Sequence, residues 1–123
     1  GVGFVGGVHE GPQSLSARGT APFVPGMTIT DEPGIYEEGK LGIRIENELL
    51  CVPVCETEYG KFYGFEPFTY CPIDTRPLVL SLMEEEELRW LNDYHAMVRA
   101  ELEAFLTPEE NAWLAEACAP VKK

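Results

Sequence analysis

Glycine and proline punctuate the chain every few residues as far as about residue 80 and nearly vanish beyond it. The first stretch cannot sustain a helix, because proline removes a backbone donor and glycine adds conformational entropy, so short strands joined by turns are its natural structure. Its apolar residues come in short runs, which predict strands near Thr28–Thr30, Gly42–Val52 and Lys61–Thr69, with turns at Pro25-Gly26, Pro33-Gly34 and Glu38-Gly39-Lys40. An antiparallel sheet is the economical arrangement of these pieces.

The second stretch reads as two helices. Ser81 with Glu84 three residues later predicts a reciprocal cap for the first, and Leu88, Leu91, His95, Val98, Leu102 and Phe105 recur at helical spacing as its apolar seam. His95 is expected to be a packed structural residue beside Trp90 or Tyr94. Thr107-Pro108-Glu109-Glu110 opens the second helix with a cap, a proline at the first helical position and a closing glutamate, and Pro120 stops it. The Glu84–Glu87 run is a solvated first turn that favours the positive end of the helix dipole. The fold class is therefore α+β, on a chain of 123 residues that can bury one modest core.

Charge and cysteine usage narrow the function. The net charge of −12 repels phosphate backbones and anionic lipid, so neither nucleic acid nor a membrane surface is an expected partner. The longest apolar run, around Leu49 to Cys55, is too short to cross a bilayer. Cys51, Cys55, Cys71 and Cys118 contain no C-x-x-C, and the opening Gly-Val-Gly is not a signal-peptide pattern, so free buried thiols in a reducing compartment are expected. Strand alternation puts Cys51 and Cys55 on one face, which is only a weak metal-binding pattern.

Three segments carry polar residues that patterning does not require: Val8-His9-Glu10-Gly11-Pro12, Thr30-Asp31-Glu32-Pro33-Gly34 and Gly42-Ile43-Arg44-Ile45-Glu46-Asn47. In the last, alternation sets Arg44 and Glu46 on one face and Ile43 and Ile45 on the other. Pro33 holds Glu32 extended, and preorganised carboxylates suit hard divalent cations. From spacing alone, His9 is as readily a hydrogen-bonded structural residue, and Glu32 and Glu46 a pair of surface or salt-bridged carboxylates.

These segments, in this order after Gly1-Val2-Gly3, resemble the C-terminal end of the catalytic domain of X-Pro aminopeptidases (aminopeptidase P), the M24 metallopeptidases with the pita-bread fold. Phe65-Glu66-Pro67, Pro72-Ile73-Asp74-Thr75 and Trp90-Leu91-Asn92-Asp93-Tyr94-His95 are similar to the C-terminal extension of the larger, cytosolic eukaryote-type enzymes. The resemblance implies a partial pita-bread domain, a curved antiparallel sheet over residues 1–75, followed by a helical extension over 76–123. It implies a pair of divalent cations, usually manganese (Mn2+), with Glu32 and Glu46 among the ligands and Glu46 bridging. The paired metals would activate a water to attack the carbonyl before proline. His9 corresponds to a histidine that is not a ligand and hydrogen-bonds the substrate carbonyl or tetrahedral intermediate, and Arg44 to a residue that orients the carboxylate.

The family's remaining ligands, two aspartates and a histidine, lie upstream of the first residue here. Three of five being absent, this chain alone is expected to be inactive and not to hold the metals as a pair. The parent enzyme is expected to act in the cytoplasm on peptides with proline second. The piece itself is expected to self-associate, or to associate with the missing N-terminal part, through residues near Gly1–Val8 and Gly42–Val52. The alternative is a non-catalytic assembly module.

Overall fold

The computed structural model describes Gly3, Val5 and residues 7–123. Gly1, Val2, Phe4 and Gly6 lie outside the described residues, and with them most of the opening Gly-Val-Gly and part of the expected association surface. The chain forms two compact units, Gly1–Thr69 and Tyr70–Lys123, the first of strands and the second of helices, as the α+β class requires.

In the first unit, β1 (Thr28–Asp31), β4 (Asn47–Thr57) and β5 (Gly60–Pro67) make one sheet in the order β1-β4-β5, and β2 (Gly34–Glu37) pairs with β3 (Leu41–Arg44) in another. All pairs are antiparallel. Gly26 and Gly39 have positive φ, so the turns expected at Pro25-Gly26 and Glu38-Gly39-Lys40 are present. The single strand expected over Gly42–Val52 is instead two, β3 and β4, and Pro33-Gly34 is not a turn but the entry to β2. One cause accounts for both. Pro33 has no N–H, so the ladder loses a bond there and both strands are interrupted together.

A second proline has a similar effect further on. Pro53 pairs with Tyr63 and Cys55 with Phe62, leaving Val54 as an extra residue in a bulge. The bulge resets the alternation, so Cys51 is buried and Cys55 exposed, against the expectation that they share a face. Among the described residues of this unit, Ile29 and Cys51 are the buried apolar ones, and Asn47 is buried as well.

In the second unit, α1 (Glu85–Leu102) and α2 (Pro108–Ala117) enclose a core of Tyr94, Val98, Leu114 and Cys118, flanked by Ile73, Met97, Leu102 and Leu106. The start of α2 matches its sequence signal: the Thr107 hydroxyl accepts from Glu110 N–H, and Glu110 accepts from Thr107 N–H at 2.8 Å. The start of α1 does not, because Ser81 lies in a single 3₁₀ turn, Leu80–Leu82, and Glu84 is the capping residue. Glu87 accepts from the Glu84 N–H at 2.8 Å, so the reciprocal arrangement occurs one turn later than expected, while Met83 in extended conformation separates the two turns.

Leu88, Leu91, His95 and Val98 are buried as the seam predicts, but Phe105 is 84% exposed. Past Leu102 the chain tightens into a 3₁₀ turn, Glu103–Phe105, whose three residues per turn rotate Phe105 off the seam. His95 is fully buried, and its Nε2 accepts from the Ile73 N–H at 3.1 Å. Among the described residues no helix is long and apolar enough to cross a membrane.

Candidate metal centre

The interruption at Pro33 is where the polar residues meet. Asp31 pairs with Asn47 on one side of it and Gly34 with Arg44 on the other, so the residues between keep one register, Pro33 across from Ile45 and Glu32 across from Glu46. The Ile45 N–H still donates to the Pro33 carbonyl at 3.3 Å, which holds that register. Alternation then gathers Thr30, Glu32, Gly34 and Tyr36 on one face of their strand and Arg44 and Glu46 on the same face opposite.

Side-chain contacts agree. Glu32 Oε1 accepts from the Thr30 hydroxyl at 2.8 Å and lies 2.7 Å from His9 Nε2. Arg44 Nη1 donates to Glu32 Oε2 at 2.9 Å and stands 3.9 Å from Glu46 Oε2, while Arg44 Nε donates to the Tyr36 hydroxyl at 2.8 Å. The His9 hydrogen bond, then that of Thr30, hold the Glu32 carboxyl below its usual range against a small opposing effect of burial. The Tyr36 hydrogen bond is the main reason the Arg44 guanidinium is pushed up, so it stays charged.

All four residues singled out from the sequence, His9, Glu32, Arg44 and Glu46, are thus brought into one cluster. Tyr36 was not singled out, and Thr30 was named only as part of its segment. Tyr36 could have been, since alternation carried two steps past Gly34 puts it on the face of Glu32. The two glycines facing that position have a reason to be glycine: a Cβ at Gly34 would lie 2.5 Å from the Tyr36 hydroxyl oxygen, and one at Gly42 would lie 3.0 Å from its ring. A side chain at position 34 would push Tyr36 off Arg44. Beside the cluster an open cavity of about 680 Å³ is lined by residues of His9–Leu15 and Ile29–Pro33.

Facing carboxylates are the oxygen donors that hard divalent cations take. Among the described residues they belong to no group of three or more His, Cys, Asp or Glu placed to hold a metal ion, so they fit a cation in kind but not in number.

Residues 1–53 match the metallopeptidase family M24, and residues 61–121 match the C-terminal region of peptidase M24. The chain belongs to metallopeptidase family M24. Among relatives of this M24 chain, a probable Xaa-Pro aminopeptidase P of Aspergillus fumigatus is 41% identical over all of it and 20% of the relative. Aminopeptidase P1 of Arabidopsis thaliana is 41% identical over 98% of this chain and 20% of its own length. The crystal structure of X-prolyl aminopeptidase from Caenorhabditis elegans, described as a cytosolic enzyme with a di-nuclear active site, superposes with a TM-score of 0.79 at 39% identity. That match covers 93% of this chain and 20% of the C. elegans chain. The M24 chain therefore spans about a fifth of the length of the curated relatives it matches.

Proposed function

We propose that this chain is the C-terminal portion of a metal-dependent X-Pro aminopeptidase, in which Glu32 and Glu46 would hold the metal. The observation that carries the reading is the placement of two carboxylates in one register across the break between two antiparallel ladders, with Arg44 Nη1 2.9 Å from one and 3.9 Å from the other, since like charges so gathered are destabilising in a purely structural role. A bound divalent pair would supply a water acidified enough to act as nucleophile near neutral pH. His9, exposed at the rim of the cavity, donates to the carbonyl of the scissile bond, and Arg44 keeps the Glu32 carboxylate oriented.

The finer assignments are proposals of the same kind. Manganese is the metal, and a peptide with proline second is the substrate. The site of action is the cytoplasm, in keeping with the description of the C. elegans enzyme. Residues 1–75 end the catalytic domain, residues 76–123 extend it, and the chain associates with itself or with the rest of a longer protein. A second reading, a non-catalytic assembly module, draws support from the exposed apolar side chains Val54, Phe62 and Tyr63 on β4 and β5.

The deciding experiment measures bound metal and turnover in a longer protein carrying this chain as its C-terminal part. Glu46→Gln should lose metal and all activity, whereas Arg44→Lys should keep metal and lose only part of the turnover. Equal loss of metal in both variants would show that Glu46 is not a ligand.

A further inference from the structure

The second unit holds a cavity of about 630 Å³ lined by Cys71, Ile73, Arg76, Trp113 and Ala117. Cys71, on the irregular segment that opens this unit, has an exposed side chain. Cys118, the next residue after Ala117, is buried in the core against Tyr94, in the turn that ends α2. Tyr94 joins the two sites, because its hydroxyl donates to the Cys71 carbonyl at 2.8 Å while its side chain shares the buried core with Cys118. Burial pushes the Cys118 thiol up, Arg99 opposes it, and Cys71 adds the smallest push in the same direction as burial. Both thiols are free; Cys71 lies outside helix and strand, and Cys118 caps the end of α2, its N–H donating to the Leu114 carbonyl at 2.9 Å.

We propose that Cys71 and Cys118 are a redox pair: peroxide reaching the cavity oxidises the exposed Cys71, and Cys118 resolves it into a disulfide that ties the end of α2 to the start of the unit. The Cys71 sulfur attacks one peroxide oxygen, the O–O bond breaks, and the proton given up by the thiol passes to the leaving oxygen, so a sulfenic acid and water form. The Cys118 sulfur then displaces the sulfenic hydroxyl, which leaves as a second water, so two thiols and one peroxide give one disulfide and two waters. The division of roles follows from exposure, since the accessible thiol meets the oxidant and the buried one waits behind it. The bridge closes both helices within one covalent loop, and a reducing thiol reopens it.

The test is peptide mapping of the native chain after brief treatment with hydrogen peroxide, thiol blocking and trypsin. Cleavage after Arg44 and Lys61 puts Cys51 and Cys55 in one peptide, and cleavage after Lys61, Arg89, Arg99 and Lys122 puts Cys71 and Cys118 in two others. The expected product is an intramolecular bridge between those last two peptides, with a mass loss of about 2 Da for the two hydrogens removed and reversal by dithiothreitol. It should be absent in Cys71→Ser, which alters an exposed side chain, and retained in Cys55→Ser. A Cys51–Cys55 bridge, a disulfide between two chains, or Cys71 carried to sulfinic acid with Cys118 still reduced would each overturn the proposal.

Discussion

Replacing Leu114 with alanine tests where the helical core lies. Leu114 is 1% exposed and packs with Tyr94, Val98 and Cys118, so the substitution takes three carbons out of a closed environment. The transfer contribution is about 0.8 kcal/mol for each carbon, and the cavity left behind brings the total to roughly 3 kcal/mol. Phe105→Ala removes a larger side chain, but one already in water, so its effect should stay within about 0.5 kcal/mol. Trp90 and Trp113 both lie in the helical unit and are the chain's two tryptophans, so their fluorescence during a urea titration reports that unit alone. The comparison holds if the urea dependence of unfolding is the same for all three proteins. A cost for Phe105→Ala equal to that of Leu114→Ala, or a cost for Leu114→Ala below about 1 kcal/mol, would refute the packing described here.

Three further outcomes are expected. Burial pushes the His95 pKa below the ordinary histidine range, and Nδ1 is buried with no hydrogen-bond partner among the described residues, so the folded state favours neutral imidazole. Stability is then fully present above the unfolded pKa and lost as pH falls through the folded one, with a slope of at most about 1.4 kcal/mol per pH unit that His95→Phe should flatten in urea titrations. Asn92→Ala should free the C-terminal tail, because the Asn92 amide donates to Val121 O at 3.0 Å and accepts from Val121 N–H at 2.8 Å; hydrogen exchange at Val121 should rise to the rate of an unprotected amide. In the longer protein, His9→Ala should spare metal and lower turnover by about 10²–10³, and loss of metal along with activity would make His9 a ligand instead.

Local signals were legible in the sequence and register was not. Thr107, Pro108 and Glu110 specify the start of α2 within four residues, and the structure follows them. Ser81 carried the same kind of signal but lost to Glu84, because a capping pattern states where a helix can begin and the packing of Leu88 and Leu91 decides where it does. Phe105 and Cys55 were misplaced for a shared reason. A period was extended through a change of geometry, a 3₁₀ turn in one case and a bulge in the other. The four candidate site residues stood out as polar residues in three segments and took their roles from the family resemblance, but the juxtaposition of Glu32 with Glu46 depends on strands whose contact no local pattern encodes.

That pairing also bears on how such a site can be held ready. An ionised carboxylate offers about four acceptor positions, and Glu32 uses three of them on His9, Thr30 and Arg44, so its direction is set by three contacts that come from three parts of the chain. Arg44 reaches toward both glutamates and offsets the repulsion that their register imposes. Its guanidinium is about half exposed, and ion pairs in such settings contribute little to stability, so exchanging part of that contact for another positive charge costs little. Tyr36, resting over Gly34, keeps the guanidinium from following whichever carboxylate moves. On the proposed reading, the register kept across the Pro33 break brings the carboxylates together and Arg44 orients them, so the glutamates need no rearrangement of the backbone to meet a cation.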